Sequence, residues 1–136
     1  MEKLIEHIKQ EEGFRSRVYQ CTEGYDTIGF GFAIKDLELT EDICELILKE
    51  KLIKLYSRVD KQIPFFKQLP VEIQDVILNM CYQMGVTGVS KFKKTLAYLE
   101  NKEFKKAAIE MLDSRWARQT PNRARKLSNI VKNVSR

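Results

Sequence analysis

Histidine and cysteine are scarce in this chain of 136 residues, which has one histidine and three cysteines. A structural zinc site needs about four such ligands at close, regular spacings, and Cys21, Cys44 and Cys81 do not provide that pattern. An odd number of cysteines favours free thiols, with Cys44 and Cys81 as small core residues in apolar helical segments. We therefore expect no metal and no cofactor.

Long hydrophobic runs are also absent. Because no stretch of about 18 apolar residues occurs, the sequence predicts no membrane-spanning helix and no stable membrane insertion. Near the start of the chain, charged residues interrupt Leu4, Ile5 and Ile8, unlike the unbroken apolar stretch of a secretory signal peptide. We expect a protein that is made and folded in a cytoplasm.

Positive charge is concentrated in the last third of the chain. Residues 91–136 hold 13 Lys or Arg against 4 Asp or Glu, a net +9, while the other 90 residues hold 11 against 15, a net −4. This asymmetry favours an anionic partner, such as nucleic acid, a membrane surface or a cell-wall polymer; the alternative is a solubilising face. The basic last helix has an apolar opposite face and no aromatic stacking platform, so we expect no nucleic-acid partner.

The hydrophobic pattern predicts an α+β fold that is mostly helical. We expect one domain, residues 1–136, in which a small antiparallel sheet lobe and a helical lobe are joined by a long helix, with a cleft between the lobes. The predicted parts are the sheet lobe at about 14–38, the linking helix at about 41–60, and the helical lobe at about 62–136 together with an N-terminal helix over 2–12.

Capping signals set the predicted helix boundaries. The N-terminal helix should stop at Gly13, and Thr40 should cap the linking helix. Further helices are predicted over 71–85, 90–100 and 103–113, the first being the most apolar and ending at Gly85. The last helix should start with Thr120 as N-cap and Pro121 at its first position. Its predicted buried stripe is Ala124, Leu127, Ile130, Val131 and Val134.

A carboxylate at the end of the first helix is a candidate for chemistry. Glu12 directly precedes Gly13, where a side chain can be held rigidly and partly desolvated, as suits a general acid. The alternative is a solvated glutamate at a helix end.

The glycines that follow suggest a ligand surface. Four of the six glycines fall within residues 13–31. In a strand, Thr27, Gly29 and Gly31 would share one face, leaving nearly bare backbone and one hydroxyl beside Glu12. The opposite face would be apolar. A β-bulge or tight packing would explain the same glycines.

Three separated segments resemble one family. They are "EEGFRSRVYQCTEGYDTIGFGF", "LNMCYQMGVTGVSKF" and "SRWARQTPNRARKL", and their order and spread cover essentially the whole chain. They resemble phage-type lysozymes, glycoside hydrolase family 24, of the T-even bacteriophage type. The resemblance implies a muramidase that hydrolyses the β-1,4 bond between N-acetylmuramic acid and N-acetylglucosamine in peptidoglycan.

The resemblance also assigns roles to residues. Glu12 falls on the general acid, Thr27 on a threonine that holds the attacking water, and Cys21 on the family's aspartate, so that the catalytic set is Glu12, Cys21 and Thr27. Arg123 falls on an arginine that supports the glutamate. The implied substrate-binding residues are Glu23, Gly31, Tyr82, Gln83 and Arg115; Trp116 is an aromatic of the cleft or the adjoining core.

Two departures from the family pattern bear on activity. Glycoside hydrolysis normally uses two carboxyl groups, and a cysteine replaces one of them here. As a thiolate Cys21 could activate water or attack the anomeric carbon, whereas as a thiol it offers little. Phe32 replaces a histidine and could extend the apolar strand face. A peptidoglycan-binding relative without activity is therefore the alternative function.

The resemblance implies a biological setting as well. We expect a monomer whose partner is the peptidoglycan glycan strand, acting as a phage or prophage endolysin. Such a protein would accumulate in the host bacterial cytoplasm and reach the periplasm and wall after membrane permeabilisation.

Overall fold

A computed structural model describes residues 1–134, which form two compact units. The first runs from Met1 to Glu45 and the second begins at Leu46, so the boundary lies within the longest helix. Among the described residues, no helix combines the length and apolarity needed to cross a bilayer. The assignment of the N-terminal helix to the helical lobe stays a prediction.

The first unit contains one helix and a small sheet. Its elements are α1 (Glu2–Glu12), β1 (Arg15–Gln20), β2 (Asp26–Gly29), β3 (Phe32–Ala33), a 3-10 turn (Ile34–Asp36) and the start of α2 (Glu41–Gln62). The strands are antiparallel in the order β1-β2-β3. Gly13 ends α1 with a positive φ of 71°, and its N–H donates to Lys9 O at 2.8 Å, as the stop signal predicted.

The second strand is shorter than the sequence predicted. The chain turns at Phe30 and Gly31, so that Ile28 pairs with Phe32 across a tight hairpin. The expected strand face shared by Thr27, Gly29 and Gly31 is therefore wrong. Gly29 and Gly31 have φ values of +73° and +77°, which end one strand and redirect the chain into the next.

The second unit is entirely helical within the described residues. It holds the rest of α2, a 3-10 turn (Phe66–Gln68), α3 (Val71–Ser90), α4 (Lys93–Glu100), α5 (Phe104–Leu112), α6 (Arg115–Gln119) and α7 (Pro121–Lys132). Gly85 has non-helical angles, so the first part of α3 ends where the sequence predicted, although a further turn of helix continues to Ser90. Helix α6 was not predicted. The mostly helical α+β class is confirmed.

The apolar core lies in the second unit and centres on α3. Ile73, Ile77 and Met80 are at most 3% exposed, which confirms the prediction for this segment. The predicted stripe of α7 is right for Ala124, Leu127 and Val131, but wrong for Ile130, which is 37% exposed. Val134 is partly buried.

The three cysteines are free thiols, as expected. Cys81 is buried in α3, which confirms its prediction as a core residue. Cys44 is exposed on the first turn of α2, so its placement in the core was wrong.

Candidate active site

Glu12 and Gly31 meet in the first unit, one at the end of α1 and the other in the β2–β3 hairpin. A β-carbon built on Gly31 would lie 2.5 Å from Glu12 Oε1, closer than real atoms approach, and 3.1 Å from its Cδ, which is tighter than most real contacts. The missing side chain of Gly31 therefore provides the space that the Glu12 carboxyl occupies. Glu12 is exposed, whereas the sequence predicted partial desolvation.

Aromatic packing brings the end of α1 to the hairpin. The rings of Phe14 and Phe30 are 5.4 Å apart between centroids, and Phe30 meets Phe32 edge-on at 6.3 Å. Lys9 of α1 places its ammonium 5.5 Å from the Phe30 ring centroid. A β-carbon on Gly29 would meet the Phe32 ring at 2.8 Å, so this glycine accommodates aromatic packing rather than a ligand.

Cys21 and Thr27 also lie together, at the other end of the same strands. Thr27 is buried, and its Oγ1 donates a hydrogen bond to Tyr25 O at 2.9 Å. Cys21 opens the β1–β2 turn: its N–H donates to Tyr25 O, and Gly24 N–H donates to Cys21 O, both at 2.9 Å.

The turn lowers the pKa of the Cys21 thiol. The largest cause is hydrogen bonding from the backbone at Tyr25, followed by the backbone at Glu23 and, after an opposing effect of desolvation, the Thr27 hydroxyl. The Glu23 carboxylate raises the pKa slightly. The turn therefore favours a thiolate through donor groups that surround the sulfur, without a cation among these causes.

The Thr27 hydroxyl has one proton and two partners. When Cys21 is a thiol, that proton can remain on the Tyr25 carbonyl; when Cys21 is a thiolate, it can turn to the sulfur. Thr27 is thus a hydrogen-bond partner of the Cys21 side chain, rather than a hydroxyl presented on an open strand face. Glu23 is exposed on the turn, beside Cys21.

A separate pocket lies in the second unit and contains two of the predicted binding residues. Its volume is about 730 Å³. Gln83 and Arg115 line it together with Trp116, whose Nε1 donates to Gln83 Oε1 at 2.8 Å. Trp116 packs edge-on against Phe92, with centroids 6.1 Å apart. Trp116 is thus both a wall of the pocket and a largely buried core residue.

The charges around this pocket are of both signs. No sequence motif marks its charged residues other than Arg115, because they come together only through folding. They are Lys91, Lys93, Lys94, Glu110, Asp113 and Arg115. Such a pocket can bind groups that carry carboxylates and ammonium groups at once.

Tyr82 and Arg123 do not line this pocket. Tyr82 is 50% exposed on α3. Arg123 of α7 donates to Asn79 Oδ1 from Nε at 2.9 Å and from Nη2 at 2.6 Å, and to Asn79 O from Nη2 at 3.3 Å. Asn79 was missed in the sequence, since nothing local signals that it fixes an arginine 44 residues away.

Metal binding finds no support in the described part of the chain, where no three His, Cys, Asp or Glu side chains form a group suited to an ion.

The fold is that of a lysozyme-type α+β protein, mostly helical with a small three-stranded antiparallel sheet. A family model for phage lysozyme matches residues 9–133, so the chain belongs to the phage lysozyme family. Membership supports a peptidoglycan-lysing lysozyme activity in general, that of a glycoside hydrolase with peptidoglycan as substrate.

The names of similar proteins are consistent with this family. "Probable T4-type lysozyme 1" and "Probable T4-type lysozyme 2" of Dictyostelium discoideum are 31% and 30% identical, over 91% and 93% of this chain and 90% and 92% of their own lengths. The "Pre-baseplate central spike protein Gp5" of Enterobacteria phage T4 is 29% identical over 94% of this chain, which spans 27% of that protein.

Proposed function

We propose that this chain hydrolyses the β-1,4 bond between N-acetylmuramic acid and N-acetylglucosamine, with Glu12 as general acid. Glu12 would protonate the glycosidic oxygen as the bond to the anomeric carbon breaks. A water supplies the hydroxyl that joins the anomeric carbon. The position of the Glu12 carboxyl supports this role most directly, because it lies in the space that Gly31 leaves at the hairpin and is exposed, so that it can reach a bound sugar.

Cys21 and Thr27 would handle the second half of the reaction. The donors around the sulfur favour a thiolate, which can stabilise positive charge at the anomeric carbon and take a proton from the attacking water. The alternative is direct attack by sulfur, which forms a carbon–sulfur bond that water later breaks. Water attack inverts the anomeric configuration and sulfur attack retains it, so the first-formed product anomer distinguishes them.

Binding of the strand would extend to the second unit. We assign Gln83, Arg115 and the mixed-charge pocket around them to the polar and charged substituents of peptidoglycan, and Glu23, Gly31 and Tyr82 to contacts with the sugars. Arg123 is held by Asn79, and its supporting role stays the one that the resemblance to the family implies.

The test is release of reducing ends and clearing of purified peptidoglycan between pH 5 and 9. Glu12→Gln should leave only a small residual activity, while Glu11→Gln, its exposed neighbour on α1, should keep full activity. Cys21→Ala should lower activity strongly, and Cys44→Ala, the exposed cysteine of α2, is its control. Full activity of Glu12→Gln would refute the assignment of the acid.

A second candidate function rests on the cysteine that replaces the family's aspartate. A relative that binds the wall but does not cleave it would sediment with peptidoglycan and release no reducing ends at any pH. This outcome for the native chain would replace the first proposal.

The biological role proposed is that of a phage or prophage endolysin acting as a monomer. A relative named "Endolysin", from Acyrthosiphon pisum secondary endosymbiont phage 1, supports it; the two are 30% identical over 64% of this chain and 60% of that protein. The protein would accumulate in the host cytoplasm and reach the wall after permeabilisation. Expression in bacteria should therefore cause lysis only when a membrane-permeabilising agent is added, and lysis without the agent would refute this route.

A further inference from the structure

Four lysines converge on a second pocket of the helical unit. The pocket has a volume of about 330 Å³, at the lower end of the range of roughly 300–1,000 Å³ typical of ligand pockets. Lys102 comes from the α4–α5 connection, Lys105 and Lys106 from the first turn of α5, and Lys132 from the end of α7. No residue that the structure describes lines both this pocket and the mixed-charge pocket, so the two are separate sites.

The pocket has a surplus of positive charge. Glu103 is the one acidic residue in the described lining, and its Oε1 lies 3.1 Å from Lys106 Nζ. Within residues 1–134, Lys102, Lys105 and Lys132 have no carboxylate partner. Three exposed ammonium groups around one small concavity repel each other unless an anion lies between them.

The backbone of Lys102 is unusual for a residue with a side chain. Lys102 has φ +61°, and it is the one described residue other than glycine with a positive φ. Its N–H donates to Leu99 O and the N–H of Glu103 donates to Tyr98 O, the pattern that ends a helix with a left-handed residue, usually glycine. A lysine therefore occupies a position where the backbone itself would favour glycine.

We propose that this lysine pocket binds a phosphodiester-linked polyol polymer attached to the wall that the enzyme degrades. Lysine ammonium groups suit phosphate oxygens, and a concave pocket suits a flexible chain that presents its phosphates singly. A lipid surface fits less well, because Phe104 is 5% exposed and offers no side chain for insertion. Duplex DNA fits less well, because the lining within residues 1–134 offers neither an arginine nor an exposed aromatic.

Purified poly(glycerol phosphate) is the probe, with binding measured by calorimetry at low and physiological salt. Lys105→Gln combined with Lys132→Gln should weaken binding roughly tenfold and flatten its salt dependence, since exposed ion pairs contribute a few-fold each. The matched control is Lys54→Gln combined with Lys61→Gln, which removes the same charge from exposed positions on α2 and should bind like the native chain.

Lys102→Gly separates binding from stability. Glycine fits the left-handed backbone, so the thermal midpoint should not fall, while binding should weaken about threefold through loss of one ammonium group. The proposal would be overturned if the lysine-pocket double variant and the α2 control double variant lost polymer affinity equally. Tighter binding of the native chain to phosphatidylglycerol vesicles or duplex DNA than to the polymer, at the same salt, would also overturn it.

The location of the polymer in the wall rests on the proposed function. Separate measurements can nevertheless refute polymer binding and muramidase activity independently. On walls stripped of the polymer, the native chain and all lysine variants should release reducing ends equally. No release by the native chain would refute the muramidase and leave polymer binding to be judged by calorimetry alone. Weaker release by the lysine-pocket variants on stripped walls would place these lysines in the substrate site and overturn the separate site.

Discussion

Replacing Gly31 with alanine would put a methyl carbon against the carboxyl group of Glu12. The added carbon would lie 2.5 Å from Oε1, and the φ of +77° is one that alanine adopts only with strain. The strain costs about 1–2 kcal/mol, or roughly 3–8 °C in the thermal midpoint. Because Oε1 is the end of a flexible side chain, the carboxyl can rotate away, so the clash should affect activity more than stability.

Activity should fall by about 100-fold, the effect expected when a catalytic group is displaced by about 1 Å. Gly85→Ala is the control, since Gly85 has a similar φ of +85° and open space around its β-carbon. It should show a similar loss of stability, measured by thermal and urea unfolding, with activity per folded molecule largely retained.

A double-mutant cycle of Gly31→Ala with Glu12→Gln tests whether displacement of Glu12 causes the loss of activity. If Gly31→Ala acts by displacing Glu12, it should reduce the residual activity of Glu12→Gln very little, because the displaced group is already inactive. Multiplicative losses in the double variant would refute this reasoning, as would full activity of a folded Gly31→Ala protein.

Further predictions concern the thiols, the core and the pocket. Iodoacetamide should modify Cys21 at lower pH than a free cysteine, because the turn lowers the pKa of its thiol. Burial raises the pKa of Cys81 to about 11 and should protect this thiol until the protein unfolds. Equal modification rates of Cys21 and Cys81, measured by mass spectrometry, would contradict this prediction. Ile77→Ala should cost about 2–5 kcal/mol in urea unfolding, since Ile77 is 1% exposed, and a loss below 1 kcal/mol would contradict its place in the core. Trp116→Phe removes the 2.8 Å bond to Gln83 and should cost about 1 kcal/mol with a raised KM on peptidoglycan; an unchanged KM would remove the pocket from the substrate site.

Local chemistry explains which parts of the fold could be predicted. The end of α1 at Gly13 and the interruption of α3 at Gly85 are where the sequence placed them, because both depend on glycine's access to positive φ. Thr40 caps α2 as predicted, accepting a hydrogen bond from Ile43 N–H at 3.3 Å. Pro121 starts α7, since a missing N–H is harmless there.

Features that depend on distant parts of the chain could not be predicted. Helical periodicity showed that α7 has an apolar stripe, but not that Ile130 would be 37% exposed. Strand alternation assigned a common face to Thr27 and Gly31, although a turn separates them. The sequence predicted that Gly31 leaves space for a ligand beside Glu12, whereas in the structure the Glu12 carboxyl itself lies in that space, at a hairpin.

The turn around Cys21 stabilises negative charge without selecting for sulfur. Backbone donors at Tyr25 and Glu23 would serve a carboxylate equally well, so Cys21→Asp should fold normally. A thiolate is lost as pH falls through the cysteine's pKa, whereas an aspartate remains charged to about pH 4. If the reaction needs an anion at this position, Cys21→Asp should retain activity at acidic pH, where the native chain loses it. Identical pH profiles for the two, measured by reducing-end release, would show that the thiolate has no part in the reaction.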